Sequence, residues 1–182
     1  MLHNETFVVP YDPSWPQRFR ELGSHLRAAL GPLGLRIDHI GSTSVPNLSA
    51  KPVIDLQISL AALEPVERYR HAIESLGFIW RADNGDRMKR YFRETPGARR
   101  THIHVRRAGS WSEQFALLFR DYLRVHPGEA ERYAALKINL ARQYPDDWHS
   151  YTTAKQPFMW AIIQGADAWA QNIGWRPGPS DC

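Results

Sequence analysis

The residues with chemical reach fall into two short alternating runs. In the first, Val53-Ile54-Asp55-Leu56-Gln57-Ile58-Ser59-Leu60, the side chains of Ile54, Leu56, Ile58 and Leu60 share one face, and Asp55, Gln57 and Ser59 share the other. In the second, Thr101 to Arg107, Ile103 and Val105 face one way and His102, His104 and Arg106 the other. Lys51 precedes the first run, and the turn Gly41-Ser42-Thr43 lies upstream of it. A carboxylate on the open face of a strand, following a Gly-Ser turn, suits a metal ion and a phosphate. Magnesium or manganese would use the oxygens of Asp55 and of the phosphate. Zinc or another transition metal would use a His-x-His pair together with the aspartate. One imidazole could instead act as a general base near neutral pH, or both could donate hydrogen bonds to phosphate. Asp55, His102 and His104 are therefore candidates both for catalysis and for metal ligation, and these uses stay open at the level of sequence.

The later, helical half supplies cations. Arg120 and Arg124 stand one helical turn apart with Asp121 between them, a spacing that suits a guanidinium clamp on phosphate or carboxylate. Lys137 borders the inward face of its helix. Lys155 shares an apolar stripe with Met159 and Ile162, so it must either reach outward or meet an anion, which Tyr151, one turn earlier, would share. With Gly41, Ser42, Thr43, Lys51, Gln57 and Arg106, these residues form the candidate phosphate- and substrate-binding set. His39 falls on the opposite side of its strand by alternation and is expected to be buried and hydrogen-bonded.

The elements that must position these groups read as follows. A short extended piece, Thr6 to Val9, ends at Pro10. Asp12-Pro13-Ser14 starts a helix whose Trp15, Phe19, Leu22, Leu26 and Leu30 recur at helical spacing until Gly31-Pro32. Strands are expected at 35–40, 51–60, 78–81, 89–95 and 101–107, with a helix over 64–76. Asn84-Gly85 marks a hairpin between the third and fourth strands. From Ser110, spaced as a capping box with Glu113, the chain turns helical through residue 173. Its segments are divided by His126-Pro127-Gly128 and by Pro145. Residues 175–182 read as a loose tail. The expectation is an α+β fold, a mixed sheet of about five strands with helices on one face, a polar site on the other, and a C-terminal helical part.

The chain has 182 residues, 43% of them hydrophobic, and seven each of Trp, Tyr and Phe. This suits one folded domain over 1–174 and excludes a disordered chain. No apolar run reaches the roughly 20 residues that span a bilayer, and no signal pattern stands at the N-terminus. The one cysteine, Cys182, forms no internal disulfide, so the cytoplasm is the expected compartment. A net charge of +4 admits an anionic partner. The basic knots are short and the aromatics fall on core faces, which argues against nucleic acid.

Several stretches resemble the GrpB family, a group related to the nucleotidyltransferase fold. They are H-I-G-S-T-S-V-P-N-L-S-A-K-P-V-I-D-L-Q-I at 39–58, Tyr11-Asp12-Pro13-Ser14-Trp15, H-I-H-V at 102–105, F-R-D-Y-L-R-V-H-P at 119–127, Y-A-A-L-K at 133–137 and Y-T-T-A-K at 151–155. Together they span roughly residues 7–165 in the family's order. The resemblance implies that the turn at Gly41-Ser42 holds nucleotide phosphates, and that two acids on the second strand bind magnesium while a third acid activates the acceptor. Here Asp55 stands at the first acid position, Gln57 at the second, and His102, His104 and Arg106 where the third would be sought. Some relatives are joined to a dephospho-coenzyme A kinase, which implies either a nucleotide-binding enzyme or a non-catalytic module serving a coenzyme A pathway kinase.

Overall fold

The computed structural model describes residues 7–182. The extended piece expected at Thr6 to Val9 therefore lies partly outside the described residues; Val9 makes an isolated antiparallel bridge to Ala50. Helix α1 (Trp15–Leu30) leads to strand β1 (Arg36–Ile40), a 3-10 turn at Ser42–Ser44 and strand β2 (Ile54–Leu60). Helix α2 (Glu67–Glu74), strands β3 (Phe78–Trp80), β4 (Lys89–Glu94) and β5 (Thr101–Arg107), and helices α3 (Trp111–Val125), α4 (Pro127–Gln143) and α5 (Trp148–Ile173) follow. The five strands form one sheet in the order β1-β2-β5-β4-β3. All neighbours are antiparallel except β2 and β5, which run parallel.

The alternation of β2 and β5 explains the layers. Leu56, Ile58, Ile103 and Val105 are fully buried on one face, with Phe92 of β4. There they meet Trp15, Phe19, Leu26 and Leu30 of α1 and Tyr69 and Ile73 of α2. Burying large side chains of this kind contributes about 1.5–3 kcal/mol each. A second core joins α3, α4 and α5 through Leu118, Phe119, Leu123, Tyr133, Ile162 and Ala166, and takes in Val45 and Leu48 from the loop before β2. Helix α3 also approaches the polar face: Gln57 Nε2 donates to the Glu113 carbonyl at 3.4 Å. That face is therefore covered at one end and open at the other. No helix among the described residues is long and apolar enough to cross a membrane.

Two boundaries differ from the sequence reading for local reasons. Helix α4 starts at Pro127 rather than after it, because proline without its N–H fits the first turn. Helix α5 starts three residues before Tyr151, where Asp147 accepts the Ser150 N–H at 2.9 Å as a cap. The tail is a larger correction. Ser180 Oγ accepts the Ile37 N–H at 2.8 Å, Asp181 accepts the His39 N–H at 2.9 Å, and the Cys182 N–H donates to the Ile37 carbonyl at 3.1 Å. The segment is not loose: it satisfies the free edge of β1, whose backbone groups would otherwise lack partners.

Candidate functional site

Strand register assembles the polar face. Parallel pairing sets Asp55 beside His102, Gln57 beside His104 and Ser59 beside Arg106. Antiparallel pairing then sets Arg93 beside His102, Tyr91 beside His104 and Lys89 beside Arg106. Paired residues project to the same side, so three polar rows cross the sheet.

The first row is open. Asp55 Oδ1 lies 3.1 Å from His102 Nδ1 and 3.4 Å from His104 Nε2. One ligand atom from each of the three residues can be chosen so that all lie within 4.8 Å of one another. Burial by itself would raise the Asp55 carboxyl, but hydrogen bonds from His102 and His104 outweigh it and hold the carboxyl well below its usual range. Burial pushes His104 down to about 4, against the pull of Asp55, so its ring is neutral at pH 7. His102 Nε2 and His104 Nδ1 are buried without a hydrogen-bond partner. Gly41 supports this centre from the side. It has φ 70°, and a Cβ built there would meet Asp55 Oδ2 at 2.6 Å. Both the left-handed backbone and the close approach of the carboxylate require glycine.

Two cavities flank the centre. The first, of about 220 Å³, is lined by Ser42, Lys51, Asp55, Lys137, Tyr151 and Lys155 among others. The Tyr151 ring lies 4.0 Å from Lys51 Nζ and 5.5 Å from Lys155 Nζ. Lys137, although 3% exposed, donates to the Ser49 carbonyl at 2.5 Å. Burial, then the charge of Lys155, brings Lys137 down to about 7. Burial, then Lys155 and Arg100, brings Lys51 down to about 8. Arg100 completes four cations on a lining whose one carboxylate is Asp55. The second cavity, of about 530 Å³, lies on the β4 side and shares Arg100, His102 and Trp148 with the first.

Of the other candidates, Gln57, Arg106, Arg120 and Arg124 lie away from these cavities. Gln57 is fully buried beneath α3 and accepts a hydrogen bond from Arg106, so its end of the row is sealed, while His104 and Tyr91 of the same row line the second cavity. Burial brings Arg106 down to about 10. Arg120 is 3% exposed and pairs with Asp121 at 2.7 Å and Asp181 at 2.8 Å, while donating to the His39 carbonyl. It ties α3 to β1 and the tail, and it lines neither cavity. Arg124 Nε donates to the Ser44 carbonyl at 3.0 Å and holds the turn from behind. Thr43 lines the first cavity, but its hydroxyl donates to the Val53 carbonyl and meets His39 Nε2, both at 3.0 Å. His39 is buried as its alternation implied, stacked on Phe19 with centroids 4.8 Å apart. Burial depresses it to about 3.

Sequence reasoning missed Tyr91, Arg93, Arg100 and Trp148. The alternation of Lys89, Tyr91 and Arg93 against the buried Phe92 was the available signal for β4. Nothing local marks Arg100 or Trp148, which reach the site from a turn and from the first residue of α5.

A mixed five-stranded sheet with a turn after the first strand and an aspartate on the second defines a nucleotidyltransferase-like fold. Solved structures agree at the level of fold: the Cid1 poly(U) polymerase, described as MgGTP bound, matches with TM-score 0.51 at 12% identity over 75% of this chain and 44% of its own. The family described as GrpB protein matches residues 5–165, and the chain belongs to that family. The crystal structure of conserved protein GrpB from Enterococcus faecalis matches with TM-score 0.82 at 35% identity, covering 90% of this chain and 99% of that one. The UPF0157 protein YqkA of Bacillus subtilis is 36% identical over 89% of this chain and 47% of its own length. A dephospho-CoA kinase of Mycobacterium tuberculosis is 33% identical over 93% of this chain and 48% of its own. The chain thus spans about half the length of these two curated relatives.

Proposed function

We propose that this protein binds a nucleoside triphosphate, or a similar polyphosphate, in the lysine-lined cavity beside one divalent ion held by Asp55, His102 and His104, and transfers a nucleotidyl or phosphoryl group. The observation that carries the reading is the imbalance of charge: Lys51, Lys137, Lys155 and Arg100 face one carboxylate. Burying such cations without counter-charge is costly, and a phosphate chain supplies the missing charge. Ser42 lies on the same lining, and Gly41 keeps the turn close to Asp55.

The donor set fits a divalent ion. Two imidazole nitrogens and a carboxylate oxygen converge, and this mixture favours zinc, iron or manganese over magnesium, which prefers oxygen throughout. When bound, such an ion withdraws charge from the phosphate at which the bond breaks. Ligation and proton transfer through the same ring nitrogen exclude one another, so both histidines would serve the metal. The lysines neutralise the chain, the dominant requirement in phosphoryl transfer.

A second reading is favoured by Gln57, which brings no charge to a second ion. A non-catalytic module would hold a nucleotide or coenzyme A precursor for a partner such as a coenzyme A pathway kinase. Thermal unfolding tests the binding that both readings require, and release of pyrophosphate or diphosphate from the bound triphosphate separates them. Melting is followed with each of four nucleoside triphosphates, with dephospho-coenzyme A, and with zinc, manganese or magnesium. The expectation is a rise in Tm with triphosphate, larger with zinc or manganese, with the metal increment lost in Asp55→Ala. Stabilisation by dephospho-coenzyme A alone selects the second reading, and no shift with any ligand overturns both.

A further inference from the structure

The cavity on the β4 side asks for a ligand of its own. It is the larger of the two, and it opens on the same centre: His102 lines both cavities, His104 lines the second and Asp55 the first. Its chemistry differs from that of the lysine cavity. Arg81, Lys89, Arg93 and Arg100 face one lining carboxylate, Asp83, but three of these cations are already paired. Arg81 is held by Asp83 at 2.8 Å, Arg93 by Glu94 at 3.0 Å, and Lys89 by Asp86 at 3.6 Å. Arg100 Nε is buried without a hydrogen-bond partner. The surplus of charge is therefore small, where the lysine cavity's is large.

Two aromatic side chains, Tyr91 and Trp148, line the second cavity among its charged residues. Tyr91 packs on both site histidines, with centroids 5.5 Å from His102 and 5.3 Å from His104. Trp148 is 49% exposed and stands where the two cavities meet. Flat apolar walls beside guanidinium groups suit a planar ring that carries one anionic group.

Building on the polyphosphate reading, we infer that the β4-side cavity binds the second reactant, an aromatic acceptor bearing a single phosphate or carboxylate, while the polyphosphate occupies the lysine cavity. A centre reached from two sides can hold two ligands at once, and the charge supply of each side matches a different one. The acceptor meets Tyr91 and Trp148 with its ring and Arg93 with its anion, and Arg100, on both linings, stands between the two ligands.

Isothermal titration with two probes tests this: tripolyphosphate for the lysine cavity and adenosine 5′-monophosphate for the other. Adenosine monophosphate is titrated into free protein and into protein saturated with tripolyphosphate, and Trp148 fluorescence reports the ring. One equivalent binding in both cases, with quenching that Trp148→Phe reduces, is the expected result. Arg93→Ala weakens the monophosphate about tenfold, about 1.4 kcal/mol, and leaves tripolyphosphate unchanged; Lys155→Ala does the reverse. Competition between the probes, or no binding of monophosphate to either form, overturns the inference. Failure of tripolyphosphate to bind overturns the polyphosphate reading instead, and the titration into free protein still reads the second cavity by itself.

Discussion

The two ends of the polar sheet face carry similar residues and meet opposite fates. At one end Asp55, His102, Lys51 and Lys155 border open space, with cations in excess. At the other, Asp38 is fully buried, paired with Arg36 at 2.9 Å, and Arg120 nearby is saturated by Asp121 and Asp181. Helix α3 and the docked tail make the difference. Where they cover the sheet, Asp38 and Arg120 take internal partners of opposite charge, because an unpaired buried charge costs several kcal/mol, and Arg106 is held by the neutral Gln57. Where they do not, the surplus is left for a ligand. A cluster of charges is informative about function when its balance is incomplete, not when it is large.

Substitutions can break this contrast from either side. The largest expected effect is at the sealed end. Arg120→Ala removes the guanidinium that pairs with Asp121 and Asp181 and should cost about 3–5 kcal/mol of folding stability, while the ligand-induced Tm shift persists in the folded fraction. Chemical denaturation with and without tripolyphosphate checks both parts; loss of ligand binding at full stability would erase the distinction between the two ends. Gly41→Ala comes next. It forces a side chain into a backbone of positive φ and into contact with Asp55 Oδ2, for about 1–3 kcal/mol. It should also weaken zinc binding, because the carboxylate must move.

Asp55→Ala should lower zinc affinity at least tenfold, read by isothermal titration, with a smaller loss of stability than Arg120→Ala. Retention of zinc in that variant would remove the metal from the open end. The gentlest probe is pH. Lys137 near 7 and Lys51 near 8 are both depressed below the ordinary lysine range by burial. Between those values and about 10.4, the unfolded chain binds more protons than the folded one. Stability of the free protein should therefore rise with pH across that window. Affinity for tripolyphosphate should fall across it, as the lysines lose the charge that the anion meets. Parallel urea curves at pH 7 and 9, with stability unchanged in the free protein, would place the lysines in a more solvated setting than this.

Much of the scaffold was legible because it rests on local periodicity. The strand at Thr101–Arg107 and the opposition of Ile103 and Val105 to His102 and His104 follow from period-two alternation, and the structure has the same strand. The burial of His39 follows from the same rule. The clamp assigned to Arg120 and Arg124 was misread because helical spacing places two guanidiniums on one face without saying what that face meets. Gln57 and Arg106 were placed on the correct side of the sheet, but Gln57 lies under α3 and takes up Arg106, which no pattern within either strand reveals.

By itself, the sequence determined which residues share a face, where the turn before β2 must carry glycine, and which family the chain resembles, since each depends on neighbours within a few residues or on motif order. Tertiary structure alone decided that β2 and β5 pair in the register that puts Asp55 against both histidines. It also decided that Arg100 and Trp148 join them, and that the tail seals one end of the sheet while leaving the other open. Register and coverage are set by contacts between segments far apart in the chain, where the hydrophobic and electrostatic balance of the whole domain chooses among arrangements that local patterns leave equivalent.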